Sequence, residues 1–127
     1  MIKAYGIAHA TLTVLDINVT RKFYEELFDT KIPADNKYSF SLLEVGVPCW
    51  FVQWPENKKR DVFNEKRVGL DHIAFEIETI DELKKVIERL NIMKVKNAGL
   101  EYFAGKYPYV CFRDLDNIQM EFFISKP

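Results

Sequence analysis

Two histidines and one glutamate are the residues of this chain best suited to chemistry. His9 and His72 stand about half the chain apart, each at the start of a short run in which apolar and polar residues alternate. Glu121 lies in the last such run. Two imidazoles and a carboxylate can bind one divalent ion and leave coordination positions open for substrate or water. The residues alone leave a second interpretation open, in which these are polar groups on a sheet face that meets only solvent or another subunit.

A weak internal repeat gives the two histidines equivalent positions. Residues 6–14 and 69–77 each place a glycine before a short strand with a histidine at its start. An amphipathic run follows each strand, which predicts a helix in each half. Thr79 followed by Glu82 predicts a capping box at the start of the second helix, and Asn18 or Thr20 is the predicted cap of the first.

Each predicted helix is followed by a polar loop and a hairpin. The first hairpin is predicted over 38–45 and 49–54, and the second over 107–112 and 118–124. A further short strand is expected before each hairpin, around 31–32 and 93–95. A charged connector over 56–67 joins the halves at 5–55 and 68–125, and neither half would bury its sheet well alone. The sequence therefore predicts one α+β domain over residues 1–127, built from two βαβββ modules.

Alternation along the strands sorts the side chains into two faces. In the first strand the apolar residues share one face and His9 lies on the other. In the second half, His72 and Glu121 likewise lie opposite the apolar positions of their strands. The apolar faces are expected to pack on the helices, so both histidines and Glu121 belong to the opposite side.

Composition and charge limit the classes of partner. The 127 residues carry 18 Lys+Arg against 19 Asp+Glu, a formal net charge of −1, which argues against nucleic acid as the main partner. The basic run 58–60 is interpreted as a solvated loop, because acidic residues surround it. No apolar stretch is long enough for a membrane helix, and no export signal is visible. Cys49 and Cys111 are interpreted as reduced core thiols, so we expect a cytoplasmic protein.

These features resemble the vicinal oxygen chelate superfamily, which includes glyoxalase I, methylmalonyl-CoA epimerase, fosfomycin and bleomycin resistance proteins and extradiol dioxygenases. The resemblance rests on the paired βαβββ layout, on the run 69–75 around His72, and on the ending 114–123, which is similar to the family's Asp-Pro-Asp-Gly-Asn-x-Ile-Glu pattern with Glu121 at its glutamate. It extends from about Gly6 to Ile124. It implies a curved mixed β-sheet cleft of the glyoxalase type, although one scaffold hosts many chemistries.

The resemblance also assigns roles to individual residues. It implies His9, His72 and Glu121 as metal ligands, with Gln53 as the candidate for a fourth, because the last strand of the first half holds no Glu or His. A glyoxalase-like alignment puts Phe51 at that position instead. Glu44 resembles the carboxylate base of the epimerase, against the alternative of an exposed glutamate at a strand end.

Other residues have two interpretations. Arg113 either pairs with an anionic substrate group or forms a salt bridge with Asp114 or Asp116 at the adjacent turn. Phe51 and Phe123 belong to a set of aromatic residues that either lines a substrate pocket or fills the core.

The expected cofactor is a divalent ion that accepts imidazole and oxygen ligands: Fe, Mn, Co, Ni or Zn. It would hold two adjacent oxygens of a small substrate, while Glu121 or Glu44 moves a proton next to a carbonyl, as in a lyase or epimerase. With Fe, dioxygenase chemistry is also possible. The alternatives are a metal-free sequestration protein of the bleomycin-resistance type and a ferredoxin-like dimeric barrel without a site. A homodimer is expected, with the site either within one chain or shared between two.

Overall fold

Two similar units follow each other along the chain, each made of a strand, a helix and three further strands. A computed structural model describes residues 1–57 and 59–127, so Lys58 of the basic run lies outside the described residues. This arrangement confirms the predicted α+β fold with two βαβββ modules. In chain order the elements are β1 Ala10–Thr13, α1 Ile17–Phe28, β2 Ala34–Asn36, β3 Ser39–Leu42, β4 Cys49–Val52, β5 Ile73–Glu76, α2 Ile80–Ile92, β6 Glu101–Phe103, β7 Tyr107–Arg113 and β8 Gln119–Phe123.

The described strands form two four-stranded mixed sheets with the same internal order. The first sheet runs β1-β4-β3-β2 and the second β5-β8-β7-β6, and in each the first and last strands of the unit pair in parallel. A parallel pair needs a long crossover, which the helix and hairpin of each unit supply. The extra short strand of each unit exists, but its predicted position is wrong, because β2 begins at Ala34 and β6 at Glu101.

The helix starts follow from local capping. Asp16 caps α1, since its Oδ1 accepts hydrogen bonds from the backbone N–H groups of Asn18 and Val19, each at 3.0 Å. The predicted cap at Asn18 or Thr20 is therefore wrong. The helix begins earlier because Asp16 already satisfies its first free N–H groups. For α2 the prediction is confirmed: the Thr79 hydroxyl accepts from the Glu82 N–H at 3.2 Å.

One core joins the two units, and α1 contributes to both sides of it. The ring of Tyr24 lies 4.6 Å from that of Phe51 in the first sheet. One turn later, Phe28 lies 5.4 Å from Phe75 and 5.6 Å from Phe122 in the second sheet. Both sheets therefore direct their apolar faces into the shared core, as the alternation predicts. Their opposite faces, called here the open faces, lie on the outside of the chain.

Hydrogen bonds between the units connect α1 to the β7–β8 turn. The Tyr24 hydroxyl donates to Asp114 Oδ2 at 3.0 Å, and the Leu15 N–H donates to Asp116 Oδ2 at 3.3 Å. The other oxygen of Asp114 accepts from two backbone N–H groups of its own turn. In the described part of the chain, neither helix has the length and apolarity needed to cross a bilayer.

Candidate functional site

The open face of the second sheet holds most of the polar groups that the sequence singles out. Along β7 and β8 the residues that face the core are buried, and those between them are half-buried. The half-buried residues therefore share the open face. They are Tyr107, Tyr109, Cys111 and Arg113 on β7, and Gln119, Glu121 and Phe123 on β8.

His72 and Glu121 meet at this face. His72 comes directly before β5, and Glu121 pairs in register with Ala74 on that strand. The distance from His72 Nε2 to Glu121 Oε2 is 3.6 Å. Burial raises the pKa of the Glu121 carboxyl above its usual value, and the neighbouring His72 partly offsets this shift. A half-buried carboxylate and an imidazole nitrogen thus converge on one point.

Asp71 fixes the orientation of the His72 ring. Its Oδ1 lies 2.7 Å from His72 Nδ1. A carboxylate can only accept in this contact, so Nδ1 is the donor and Nε2 is the ring nitrogen that faces Glu121. This is the arrangement in which a carboxylate orients a metal-binding histidine. No role was predicted for Asp71, although its position next to His72 is a signal that the sequence shows.

A chain of polar contacts extends from this pair to the connector between the units. Both Nη atoms of Arg113 donate to the Glu65 carboxylate, at 3.0 and 2.7 Å. Nη2 also donates to Gln119 Oε1 at 3.0 Å, and the Gln119 amide donates to Asp71 Oδ1 at 3.4 Å. The bond to Arg113 lowers the pKa of Glu65 to about 2.

The expected salt bridge from Arg113 to a turn aspartate is wrong. Glu65 is the observed partner because Arg113 points to the open face, whereas Asp114 is only 7% exposed on the core side. This partner is 48 residues away along the chain, so no local pattern indicates it. Arg113 is thus held by the connector and lies two contacts away from Asp71.

Aromatic residues cover the other end of the open face. Phe123 is surrounded by three rings from β6 and β7, with the Tyr107 ring nearly parallel to it at 5.9 Å. The Tyr109 hydroxyl donates to Glu101 at 2.6 Å, which raises the pKa of Tyr109 to about 12. Phe123 was predicted as a pocket candidate, and it lies on the same face as Glu121.

His9 lies in the first sheet, away from the pair. It precedes β1, is exposed, and packs edge-on against the Trp50 ring at a centroid distance of 4.8 Å. Across residues 1–57 and 59–127, no three His, Cys, Asp or Glu side chains of one chain stand close enough together to hold an ion. A single chain therefore brings together His72 and Glu121 but not His9.

The remaining candidates lie elsewhere. Gln53 Oε1 accepts from the Ile17 N–H at 2.8 Å, at the start of α1. Phe51 is completely buried and stacks on Phe40 at 4.6 Å, on the core side of the sheet. Glu44 is exposed and follows the end of β3. Phe51 in β4 and Gln53 directly after that strand thus have structural contacts, because both point toward α1 instead of the open face.

Comparisons with known proteins give a consistent assignment. The profile of the Glyoxalase/Bleomycin resistance protein/Dioxygenase superfamily matches residues 6–122. Fosfomycin resistance protein FosX from Listeria innocua is 31% identical over 119 residues, covering 88% of this chain and 84% of the relative.

Solved structures share the fold. A glyoxalase/bleomycin resistance protein/dioxygenase domain from Frankia sp. EAN1pec has a TM-score of 0.82 and 26% identity, covering 96% of this chain and 98% of its own. A mutant of FosX from Listeria monocytogenes is complexed with Mn(II) and 1S,2S-dihydroxypropylphosphonic acid. It has a TM-score of 0.71 and 24% identity, covering 94% of this chain and 90% of its own. With the profile match over nearly the whole chain, these findings show that the chain belongs to the Glyoxalase/Bleomycin resistance protein/Dioxygenase superfamily.

Proposed function

We propose that this protein is a divalent-metal-dependent enzyme that acts on a small substrate by binding two adjacent oxygens of it. The observation that carries the proposal is the contact of 3.6 Å between His72 Nε2 and Glu121 Oε2, with Asp71 behind the histidine. The FosX relative with bound Mn(II) supports a divalent ion in this superfamily.

The donor atoms fit a divalent ion. Two donors that lie about 2.1 Å from one ion are roughly 3.0–3.6 Å apart at coordination angles of about 90–120°. His72 and Glu121 meet this requirement without rearrangement. Nitrogen and carboxylate oxygen suit Mn, Fe, Co, Ni and Zn. Gln53 is left out of the proposed ligand set, because its side-chain oxygen is bonded to α1.

His9 completes the ligand set from a second copy of the chain. Because the two sheets share one core, the open face with His9 and the open face with His72 cannot close on each other within one chain. A two-fold symmetric dimer would place the first sheet of each copy over the second sheet of the other. Each of the two sites would then take His9 from one copy and His72 with Glu121 from its partner.

This chain's own groups have distinct tasks in such a site. Asp71 holds the proton of His72 on Nδ1 and so keeps Nε2 available. The two sheets would exclude water from the space between them. Glu121, whose pKa is raised, or Glu44 after the end of β3 would accept a proton next to a substrate carbonyl. The bound ion would supply stabilisation of negative charge on the substrate oxygens.

The first test is the metal content and Mn(II) affinity of the purified protein. His9→Ala, His72→Ala and Glu121→Ala are each expected to lose the ion with the fold intact by circular dichroism. Glu101→Gln, a change of another carboxylate near the same face, is the matched control and should retain it. Unchanged metal binding in the three variants would refute the proposed ligand set. A wild-type protein that binds no ion would refute the proposal and favour a metal-free sequestration protein that uses the same cleft.

The second test asks whether the site is shared. His9→Ala and His72→Ala proteins are unfolded together and refolded as an equal mixture. Random pairing would give heterodimers in half of the molecules, each with one intact site, so about a quarter of the wild-type Mn(II) sites should return. A site within one chain would return none.

A further inference from the structure

The open face of the second sheet carries an aromatic floor next to the proposed ligand pair. The floor consists of Phe103, Tyr107, Tyr109 and Phe123. The ring centroids of Phe103, Tyr107 and Tyr109 lie 5.9–6.5 Å from that of Phe123. Those of Phe103 and Tyr107 lie 6.4 Å from each other. Phe103 is 61% exposed. The other three rings are half-buried, so Phe103 is the most open part of the floor.

The floor begins where the proposed ligands end. Phe123 follows Glu121 by two residues on the same face of β8, so their Cα atoms are about 6.8 Å apart. A substrate carbon whose oxygens are held beside Glu121 could carry a small organic group, and such a group is about as long as this separation. The rest of a substrate bound at the ion would therefore lie over the rings.

The charges around the floor disfavour a dianionic group. Four carboxylates border this face: Asp71, Glu76, Glu101 and Glu121. The guanidinium of Arg113 is already bonded twice to Glu65. The Lys106 ammonium lies 5.1 Å from the Tyr107 ring centroid, at the end of the floor away from Glu121.

Three strands of the first sheet would supply no cation to this space in a dimer. Its open face is formed by the residues that alternate with the buried ones on β1, β3 and β4, and these are Thr11, Thr13, Ser39, Ser41, Trp50 and Val52. None of these described residues is a lysine or an arginine. Even with the two positive charges of the proposed ion and the one of Lys106 counted, an anion with two charges would meet four carboxylates against three positive charges.

We infer that the substrate carries an uncharged aromatic ring on or next to its oxygen-bearing carbons, and no phosphonate or phosphate group. This inference rests on the proposed function and names the substrate class of the same site. It separates this chain from its FosX relative, whose bound ligand is a phosphonic acid. The ring would stack on the floor, while two adjacent oxygens lie beside His72 and Glu121.

The test compares three probes by titration calorimetry on the Mn(II)-loaded protein. Mandelate and lactate both present two adjacent oxygens and one negative charge, and differ in a phenyl against a methyl group. Mandelate is expected to bind about tenfold more tightly, as one well-stacked ring allows. The third probe, 1,2-dihydroxypropylphosphonate, should bind more weakly than mandelate. Equal binding of mandelate and lactate, or tighter binding of the phosphonate, would overturn the inference.

Matched variants locate the effect. Phe103→Ala changes an exposed ring of the floor, and Tyr102→Ala changes its exposed neighbour on the opposite side of β6. Phe103→Ala should reduce the preference for mandelate at least threefold, and Tyr102→Ala should leave it unchanged. An equal loss of the mandelate preference in both variants would contradict the inference. A changed oligomeric state in Phe103→Ala with the preference unchanged would also contradict it, because a second copy would then be covering the rings.

A metal-free measurement separates the two proposals. Binding of uncharged benzyl alcohol is followed by saturation-transfer NMR in chelator-treated protein. A signal that Phe103→Ala removes and Tyr102→Ala keeps would support the aromatic floor even if no ion binds and the proposed function fails. Absence of the signal from wild-type protein would overturn the inference independently of the metal.

Discussion

Replacement of Asp114 by asparagine should change the pH dependence of stability. Asp114 is 7% exposed. One of its oxygens accepts from the N–H groups of Asp116 and Ile118, both at 2.9 Å, and the other accepts from the Tyr24 hydroxyl at 3.0 Å. Burial is the largest influence and raises the pKa of Asp114 to about 6, although these hydrogen bonds act in the opposite direction.

The size and sign of the effect follow from linkage. A rise in the pKa of Asp114 from 3.8 to about 6 corresponds to about 3 kcal/mol in the free energy of unfolding. The folded state holds this proton more tightly than the unfolded chain does. The contribution to the free energy of unfolding is therefore fully present below pH 3.8 and is lost as the pH rises through about 6. Since a domain of this kind is stable by about 5–15 kcal/mol, the loss is a large share.

In the Asp114→Asn variant the side chain cannot ionise, but it keeps an oxygen that accepts from the two backbone N–H groups. Between pH 4 and 7 the variant should gain about 3 kcal/mol relative to the wild type, measured as free energies of unfolding in urea by far-ultraviolet circular dichroism. Asp81→Asn, a change of an exposed aspartate, controls for the change of charge. A difference between Asp114→Asn and wild type that stays constant across this pH range would refute the reasoning.

Three further predictions concern single contacts. Asp71→Ala should weaken Mn(II) binding about 10–100-fold. Nitrogen NMR of the metal-free variant should show His72 in mixed tautomers, and a single unchanged tautomer would exclude an orienting role for Asp71. Gln53→Ala should lower the free energy of unfolding in urea by about 1 kcal/mol, because the Ile17 N–H loses its acceptor. Its Mn(II) affinity should stay the same, and a lost affinity would return Gln53 to the ligand set. Asp16→Ala should also cost about 1 kcal/mol, and Asn18→Ala should cost less; the reverse order would contradict the observed cap.

Much of the fold could be predicted because it depends on neighbours along the chain. The apolar spacing of α2 and its Thr79 cap, and the alternation in β5 and β8, are properties of short segments. Where a local choice was close, the prediction failed: Asn18 or Thr20 was the predicted cap of α1, but Asp16, two residues before Asn18, is the residue that reaches the free N–H groups.

The candidate site could be predicted only as a set of residue types on a face. Alternation put His72 and Glu121 on the same side of the second sheet, but their distance depends on the register of β5 against β8. The partner of Arg113 could not be found from the sequence, because Glu65 reaches it through the path of the connector. The family resemblance offered Gln53 or Phe51 for the fourth ligand position, whereas the packing of the first sheet on α1 buries Phe51 and bonds Gln53 to the Ile17 N–H.

By itself, the sequence determined the duplicated βαβββ pattern, the division of each strand into an apolar and a polar face, and the residue types that carry the chemistry. The tertiary structure decided that both apolar faces share one core around α1. For that reason His72 and Glu121 meet within the chain while His9 lies on a separate outer face. Periodicity is set by backbone geometry within a few residues, whereas the meeting of distant side chains depends on how whole sheets pack.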